Sequence, residues 1–463
     1  MNRTHFAPAL LFLASAPSMA QDALGLLEVY EEALLNDPVI REAEANYLAT
    51  SEVKRQARSG LLPSLSLSSS TSDSHSLNPN PPLDFETGFP SIVFASSESD
   101  SESSGLNLNL NQTVFDWGQY LSLQQADKTI ARAEIDLAVT QQDLMVRVAT
   151  AYFTVLAAED LLAADIAARE ALGQQLEQTQ RRFDVGLIAV TNVQEAQAGY
   201  DTAVATVISS ERSLATAQES LREIINAYVT DLRSPIEDLP LMAPDPSDVE
   251  AWVSIAQGQN LALVASRISA DIAQDDIRIA RSSRFPTLRL SASGSDSTST
   301  STQMTNLFTG GAVTTPPASS DRESESISLN LSMPIFSGGA NRSRIQQSVY
   351  RHRATVERVE SVARQTERLT RDAYLGVTSQ IRRVEALRQS LESSRTALLA
   401  TQAGEEVGQR TAVDVVNAQN NVSRAETQYA GSRYDYLMNI LRLKQAAGSL
   451  SQADLAEVDG WLE

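Results

Sequence analysis

The residues best able to do covalent or redox chemistry are scarce in this chain. It has no cysteine, which removes disulfides, thiolate metal sites and a lipid-modified N-terminal Cys. The histidines are His5 near the start, His75 in a serine-rich stretch, and His352 between Arg351 and Arg353 on a helical pattern. No metal-ligand spacing, nucleophile elbow or phosphate loop appears, and Gly338-Gly339 is not followed by the Lys-Ser/Thr that a phosphate loop needs. These absences argue against an enzyme and predict no cofactor. The informative spacing is of another kind. Leu106-Asn107-Leu108-Asn109-Leu110-Asn111 and Ile327-Ser328-Leu329-Asn330-Leu331-Ser332 alternate with period two. That alternation puts the leucines on one face and the amides or hydroxyls on the other, as a strand between lipid and water requires. No Lys or Arg occurs between Arg58 and Lys128, or between Arg289 and Arg322. A charge on a lipid face is destabilising, and Phe115, Trp117 and Phe336 stand at the strand ends, where interfacial aromatics sit.

Each alternating segment has an upstream partner, Pro63 to about Thr71 and Pro286 to about Ser297. The connections, Asn78-Pro79-Asn80-Pro81-Pro82 and Gly310-Gly311 to Pro316-Pro317, are turn-rich, so two hairpins are expected, about 63–115 and about 286–336. Four strands cannot close a transmembrane barrel, and hydrocarbon does not tolerate an open edge. Oligomerisation is therefore required. Two copies would give an eight-stranded barrel filled by its own side chains, whereas three would give about twelve strands and leave a lumen.

The chain is written twice. Leu62-Pro63-Ser64-Leu65-Ser66-Leu67 recurs as Phe285-Pro286-Thr287-Leu288-Arg289-Leu290, and Val114-Phe115-Asp116-Trp117-Gly118 as Ile335-Phe336-Ser337-Gly338-Gly339. Ala151-Tyr152 recurs as Ala373-Tyr374, and Val185-Gly186 as Val407-Gly408. The pairs lie about 222 residues apart, too far for a solenoid unit and suited to a duplicated half-protein. Seven-residue columns run through each half: Val193, Tyr200, Val207, Leu214, Leu221, Tyr228, and Val415, Val422, Tyr429, Tyr436, Leu443. A second pair precedes the tip glycines, with Val155, Leu162, Arg169, Leu176, Phe183 in one half and Val349 through Thr370, Val377, Val384 and Leu391 to Leu398 in the other. These are coiled-coil seams, and a helix from Gly118 to Phe183 would be on the order of 100 Å long at the helical rise of ~1.5 Å per residue. The first repeat is expected at 21–240, with short helices, the hairpin and long helices at about 118–230. The second is expected at 241–450, with long helices at about 339–447, and a tail follows at 451–463.

The first twenty residues, with Arg3, an apolar run from Phe6 to Leu13 and Ser18-Met19-Ala20, read as a cleaved leader, so 1–20 is expected to be a signal peptide of an exported protein. No later run is apolar and long enough for a membrane helix, so any membrane portion must be strands. The net charge of −21 argues against nucleic acid as a partner and for a solvated acidic surface or an acidic lumen. Alanine carries much of the apolar content, which suits close helix packing.

These motifs, in this order, resemble the TolC family of outer-membrane efflux and secretion proteins. The resemblance is carried by Val185-Gly186-Leu187-Ile188-Ala189-Val190-Thr191-Asn192-Val193, by Val407-Gly408-Gln409-Arg410-Thr411-Ala412-Val413-Asp414-Val415-Val416, and by Leu443-Lys444-Gln445-Ala446-Ala447-Gly448-Ser449-Leu450. It implies an α+β membrane protein: long antiparallel coiled-coil helices form a periplasmic α-barrel, and four strands per protomer join a 12-stranded trimeric β-barrel. Shorter helices near Asp22 to Asn36 and Ser247 to Gln257 would lie at the equator. The implied partners are a homotrimer, a periplasmic adaptor protein, an inner-membrane ABC or RND transporter, and outer-membrane lipid. The implied function is passive conduction of drugs, toxins or secreted proteins to the exterior. A periplasmic coiled-coil scaffold or adaptor without a pore is the alternative.

The resemblance also implies site residues. The adaptor-binding tips are Gly186, Leu187, Gly408 and Gln409. At the entrance, relatives carry two acidic residues a turn apart that form cation-binding rings; Asp414 matches the first, while Asn417 is neutral at the second. In some relatives an Asp, a Tyr and an Arg hold the entrance closed. Arg410 matches that Arg, but Asn192 and Glu405 occupy the other two positions, so Glu405 is expected to substitute in part as the partner of Arg410.

Overall fold

The computed structural model describes residues 23–79, 94–229, 231–236, 238–307 and 311–463. The expected leader at 1–20 and residues 80–93 and 308–310 of the hairpin connections lie outside them. Three helices come first, α1 (Leu26–Asn36), α2 (Pro38–Ser51) and α3 (Val53–Ser59), followed by strands β1 (Ser64–Pro79) and β2 (Phe94–Phe115). Helices α4 (Trp117–Asp184), α5 (Val190–Ile225), α6 (Val249–Gln259) and α7 (Leu261–Ser282) lead to strands β3 (Thr287–Leu307), β4 (Ala312–Thr314) and β5 (Ala318–Ser332). Helices α8 (Ala340–Glu406), α9 (Ala412–Ala447) and α10 (Gln452–Asp459) complete the mixed α+β fold. Helices α2, α3 and α7 are elements that the sequence patterns did not single out. The chain divides into two units, one holding residues 23–46, 134–265 and 360–463, the other 47–133 and 266–359.

The first unit is helical, and the seven-residue columns form its core. Val415, Val422, Tyr436 and Leu443 on α9, Val193, Val207 and Leu221 on α5, and Thr370, Val377, Val384 and Leu391 on α8 are all buried. Each fully buried large apolar side chain contributes about 1.5–3 kcal/mol, so these columns account for much of the holding force between long helices that lack a compact globule. On α4 the better-buried column is Ala151, Ala158, Asp165, Leu172 and Thr179 rather than the column expected through Val155 and Arg169. Its two polar members hide it from a hydrophobic period. Asp165 is sheltered by accepting a hydrogen bond from the Ser210 hydroxyl of α5 at 2.5 Å.

The repeated Ala-Tyr pairs tie connecting segments to helices. The Tyr152 hydroxyl donates toward the carbonyls of Leu24 (3.1 Å) and Arg233 (2.7 Å), and the Tyr374 hydroxyl donates to the carbonyl of Ser247. The residues expected as a tail fold as α10, with Leu455 and Val458 buried and Leu462 bridged to Pro235. One short apolar face of two residues is too small to register as a period. A capping box of Ser451 and Asp454 starts this helix.

In the second unit the strands form one antiparallel sheet in the order β1, β2, β3, β5, with the short β4 also on β3. Thr315, Pro316 and Pro317 separate β4 from β5, because proline has no N–H to give to the ladder. Strand β1 runs to Pro79 and β3 to Leu307, well past the ends expected near Thr71 and Ser297. The backbone pairing continues there after the apolar alternation has stopped. Among the described residues of the protomer β1 pairs with β2 alone and β5 with β3 alone, so each presents an unpaired edge. Beside the sheet, Lys128 of α4 and Arg278 of α7 both reach the Asp275 carboxylate, at 2.5 and 2.9 Å.

Candidate functional site: the hairpin tips and the faces of the sheet

The two tips are built alike. Gly186 has φ +77° and Gly408 φ +76°, the left-handed region that a residue without Cβ enters freely. The Gly186 N–H donates to Phe183 O (2.8 Å) and Leu187 N–H to Arg182 O (2.9 Å); Gly408 N–H donates to Glu405 O (3.0 Å) and Gln409 N–H to Gly404 O (2.8 Å). Each pair is the double hydrogen bond of a Schellman helix end. The apolar residues around the glycines stay in solvent: Val185, Leu187 and Val407 are exposed. The geometry is that of two rigid turns presenting side chains outward.

The second tip is the better capped. The Thr411 hydroxyl accepts from the Asp414 N–H, while the Asp414 carboxylate accepts from the Thr411 N–H (2.9 Å) and hydroxyl (3.0 Å). These bonds from the Thr411 backbone and side chain, with Arg410 nearby, hold the Asp414 carboxyl below the usual carboxylate range, so it is ionised at neutral pH. At the first tip the N-cap of α5 is Ala189, which has no side chain to cap with. Asn192 is half-buried in the first turn of α5, and Asn417 is exposed one turn beyond Asp414.

The expected Arg410–Glu405 pair does not form within the protomer. Glu405 accepts instead from Arg182 Nη1 at 2.5 Å, with side chains 11% and 27% exposed. Among the described residues the Arg410 guanidinium has no ion pair, and its methylenes lie over Gly404, where a Cβ would come within 2.9 Å of Arg410 Cγ. The physical reason is reach: Arg182 closes the last turn of α4, and its long side chain meets the carboxylate at the end of α8. Arg182 was not among the residues expected from sequence. Its one local signal was a basic pair, Arg181-Arg182, in the last turn of a helix, where cations favour the C-terminal dipole.

The sheet has two faces of different chemistry. Registers such as Leu65↔Leu110, Leu67↔Leu108, Leu288↔Leu331 and Leu290↔Leu329 place the leucines together; Leu65, Leu67, Leu108, Leu329 and Leu331 are exposed and Leu110 is half-buried. The other face is a ladder of facing hydroxyls, with Ser72–Ser103 and Ser74–Ser101 at 2.7 Å, Ser291–Ser328 at 2.8 Å and Ser295–Ser324 at 2.7 Å. By the same alternation, Asp73 of β1, Glu98, Asp100 and Glu102 of β2, and Asp296 of β3 share the leucine face. So do Asp321, Glu323 and Glu325 of β5. Contacts on that face agree, since His75 Nδ1 lies 2.6 Å from Asp100 and Thr298 donates to Asp321 at 2.8 Å.

Among the described residues no group of three His, Cys, Asp or Glu could hold a metal, and no helix is long and apolar enough to cross a membrane. The family described as outer membrane efflux protein matches residues 29–227 and again 252–449. The chain is 33% identical to the outer membrane protein TolC of Escherichia coli K12 over 98% of its own length and 87% of that protein's. It is 27% identical to the alkaline protease secretion protein AprF of Pseudomonas aeruginosa, over 94% and 86% of the two chains. Among solved structures, the outer membrane protein VceC of Vibrio cholerae superposes with a TM-score of 0.69 at 18% identity, covering 91% of this chain and 96% of that one. The CmeC outer membrane channel of Campylobacter jejuni gives 0.70 at 15% identity, covering 100% and 98%. These likenesses show the fold, and the family is one of channels rather than enzymes. On the twofold family match and the near full-length identity to TolC, the chain belongs to the outer membrane efflux protein family.

Proposed function

We propose that three copies of this chain form a channel-tunnel in the outer membrane that passively conducts exported substrates to the cell exterior. The observation that carries the reading is the sheet: its leucine face is suited to hydrocarbon, yet its β1 and β5 edges are unpaired within one protomer. The order β1, β2, β3, β5 is antiparallel throughout, so β5 of one copy can pair antiparallel with β1 of the next. Three copies then close about twelve strands around a lumen, and no edge is left in the lipid. In this reading residues 21–240 and 241–450 are the two repeats. The long helices stand in the periplasm, and the tips at Gly186, Leu187, Gly408 and Gln409 meet a periplasmic adaptor served by an inner-membrane transporter. Three ionised Asp414 carboxylates would converge at the entrance and attract a cation, with Asn417 contributing a neutral ring.

Two relatives are named for protease secretion, AprF of Pseudomonas aeruginosa and PrtF of Dickeya chrysanthemi. They support exported proteins as one substrate class beside drugs and toxins. The test joins fractionation and conductance. The protein should partition with the outer membrane, run as a trimer in detergent, and give unitary conductance steps in planar bilayers. A monomer that stays in the periplasmic fraction and gives no steps would mean a scaffold without a pore.

A further inference from the structure

Strict alternation sorts the charges of the strands as well as their apolar residues. Every Asp and Glu of the described strands lies on the leucine face, whereas Arg289 and Arg322 lie on the hydroxyl face, paired in register with Asn330 and Ser297. Both arginines are exposed, and neither has an ion pair among the described residues. On the channel reading, on which this inference rests, the hydroxyl face lines the bore. A chain with a net charge of −21 therefore presents a bore wall whose only formal charges, among the described residues, are positive.

The hydroxyls of that wall are largely occupied with one another across the strands, as at Ser291–Ser328, Ser293–Ser326 and Ser295–Ser324. A passing neutral solute finds few unmet hydrogen-bond partners there. The guanidiniums, by contrast, have no partner among the described residues. Arg289 and the register position of Arg322, Ser297, are eight residues apart on β3. At ~3.3 Å per residue the two levels are about 26 Å apart along the strand. At a strand tilt of about 40° that is on the order of 20 Å along the bore, so a small anion meets one level at a time, while an extended acidic peptide of roughly six residues spans both.

We propose that Arg289 and Arg322, repeated in three protomers, form two cationic rings in the bore that favour acidic polypeptide segments over basic ones during exit. The attraction is electrostatic and screened beyond a Debye length of about 8 Å at physiological salt, so it guides a chain near the wall without trapping it.

The test uses the full-length protein in planar bilayers, with hexa-aspartate or hexalysine added from the side that faces the cell exterior. Hexa-aspartate should reduce the current at a concentration at least tenfold below that for hexalysine, with the preference shrinking in 1 M salt. Arg289→Ser and Arg322→Ser should each weaken the preference and the double variant should abolish it. Glu323→Gln, next in sequence to Arg322 but on the other face, should leave it intact. Serine suits the surrounding hydroxyl ladder, and trimer on a detergent gel reports assembly of each variant. Preferential block by hexalysine, or a double variant that keeps the acidic preference, overturns the rings while leaving the channel. Loss of the preference in Glu323→Gln overturns the facing of the strands. Absence of conductance from the wild-type trimer overturns the channel itself.

Discussion

Replacing Arg182 by serine removes the ion pair that joins the ends of α4 and α8 at the two tips. The contact is 2.5 Å, and both side chains are largely sheltered. A hydrogen bond to a charged group contributes about 1.5–3 kcal/mol net, and partial exposure of Arg182 favours the lower end. At ~1.5 kcal/mol the ratio of parted to joined tips rises roughly tenfold per protomer. Three protomers parting together would sum to about 4.5 kcal/mol, roughly three orders of magnitude. Single-channel recording reads this directly: Arg182→Ser and Glu405→Gln should both raise the mean conductance of the resting channel. The charge-swapped double variant, Arg182→Glu with Glu405→Arg, should return it toward wild type. Arg410→Ser should change it less, because Arg410 has no ion pair among the described residues of the protomer. Resting conductance in Arg182→Ser equal to wild type, or a swapped pair no better than either single change, would refute the reasoning.

Other outcomes follow from the same geometry. Gly408→Ala meets only the penalty of a left-handed backbone, about 1–2 kcal/mol, because nothing lies within 4 Å of the new Cβ. Gly448→Ala adds a collision at 2.4 Å with the Gln259 carbonyl oxygen, so thermal unfolding should rank it well below Gly408→Ala. Tyr434 is held above its usual range by burial and by its bond to the Asp160 carboxylate at 2.6 Å. Tyr434→Phe leaves that carboxylate short of a donor and should lower stability by about 1–3 kcal/mol in denaturant melts. Asp414 titrates low in the folded chain, so its support of α9 is complete above the ordinary Asp range and is lost as pH falls through its depressed value. Amide exchange in the first turn of α9 should quicken with acid in the wild type more than in Thr411→Val, which has already lost the hydroxyl side of the box.

The sequence showed the strands only where lipid demands alternation. From Leu106 to Asn111 one face must be apolar, and the period is plain; from Ser96 to Ser104 both faces are polar, the period vanishes, and the strand continues unseen. The tip glycines were legible because a helix end needs a left-handed residue at a fixed place. The partner of Glu405 was not, since Arg182 is 223 positions away and spacing says nothing about distant side chains. The α4 seam was misplaced by one column for a related reason: Asp165 is buried through Ser210 of α5, a partner that the sequence does not announce, while Thr179 satisfies its hydroxyl on the Gln175 carbonyl of its own helix and so needs no apolar period.

The carboxylates on the leucine face also mark a height. Along β5 the outward residues run Leu331, Leu329, Ile327 and then Glu325, and below the strand Met333, Ile335 and Phe336 are exposed. Counted as if the residues below β5 were extended too, Ile335 to Ile327 would reach about 26 Å at ~3.3 Å per residue, or on the order of 20 Å vertically at a barrel tilt of about 40°. That matches a thin hydrocarbon slab and uses it up. Above Glu325 on β5 and Ser69 on β1 the sheet keeps its hydrogen bonds for a further stretch with an acidic rim. On the proposed channel reading, the barrel would then stand clear of the bilayer, opening its mouth beyond the lipid rather than level with it.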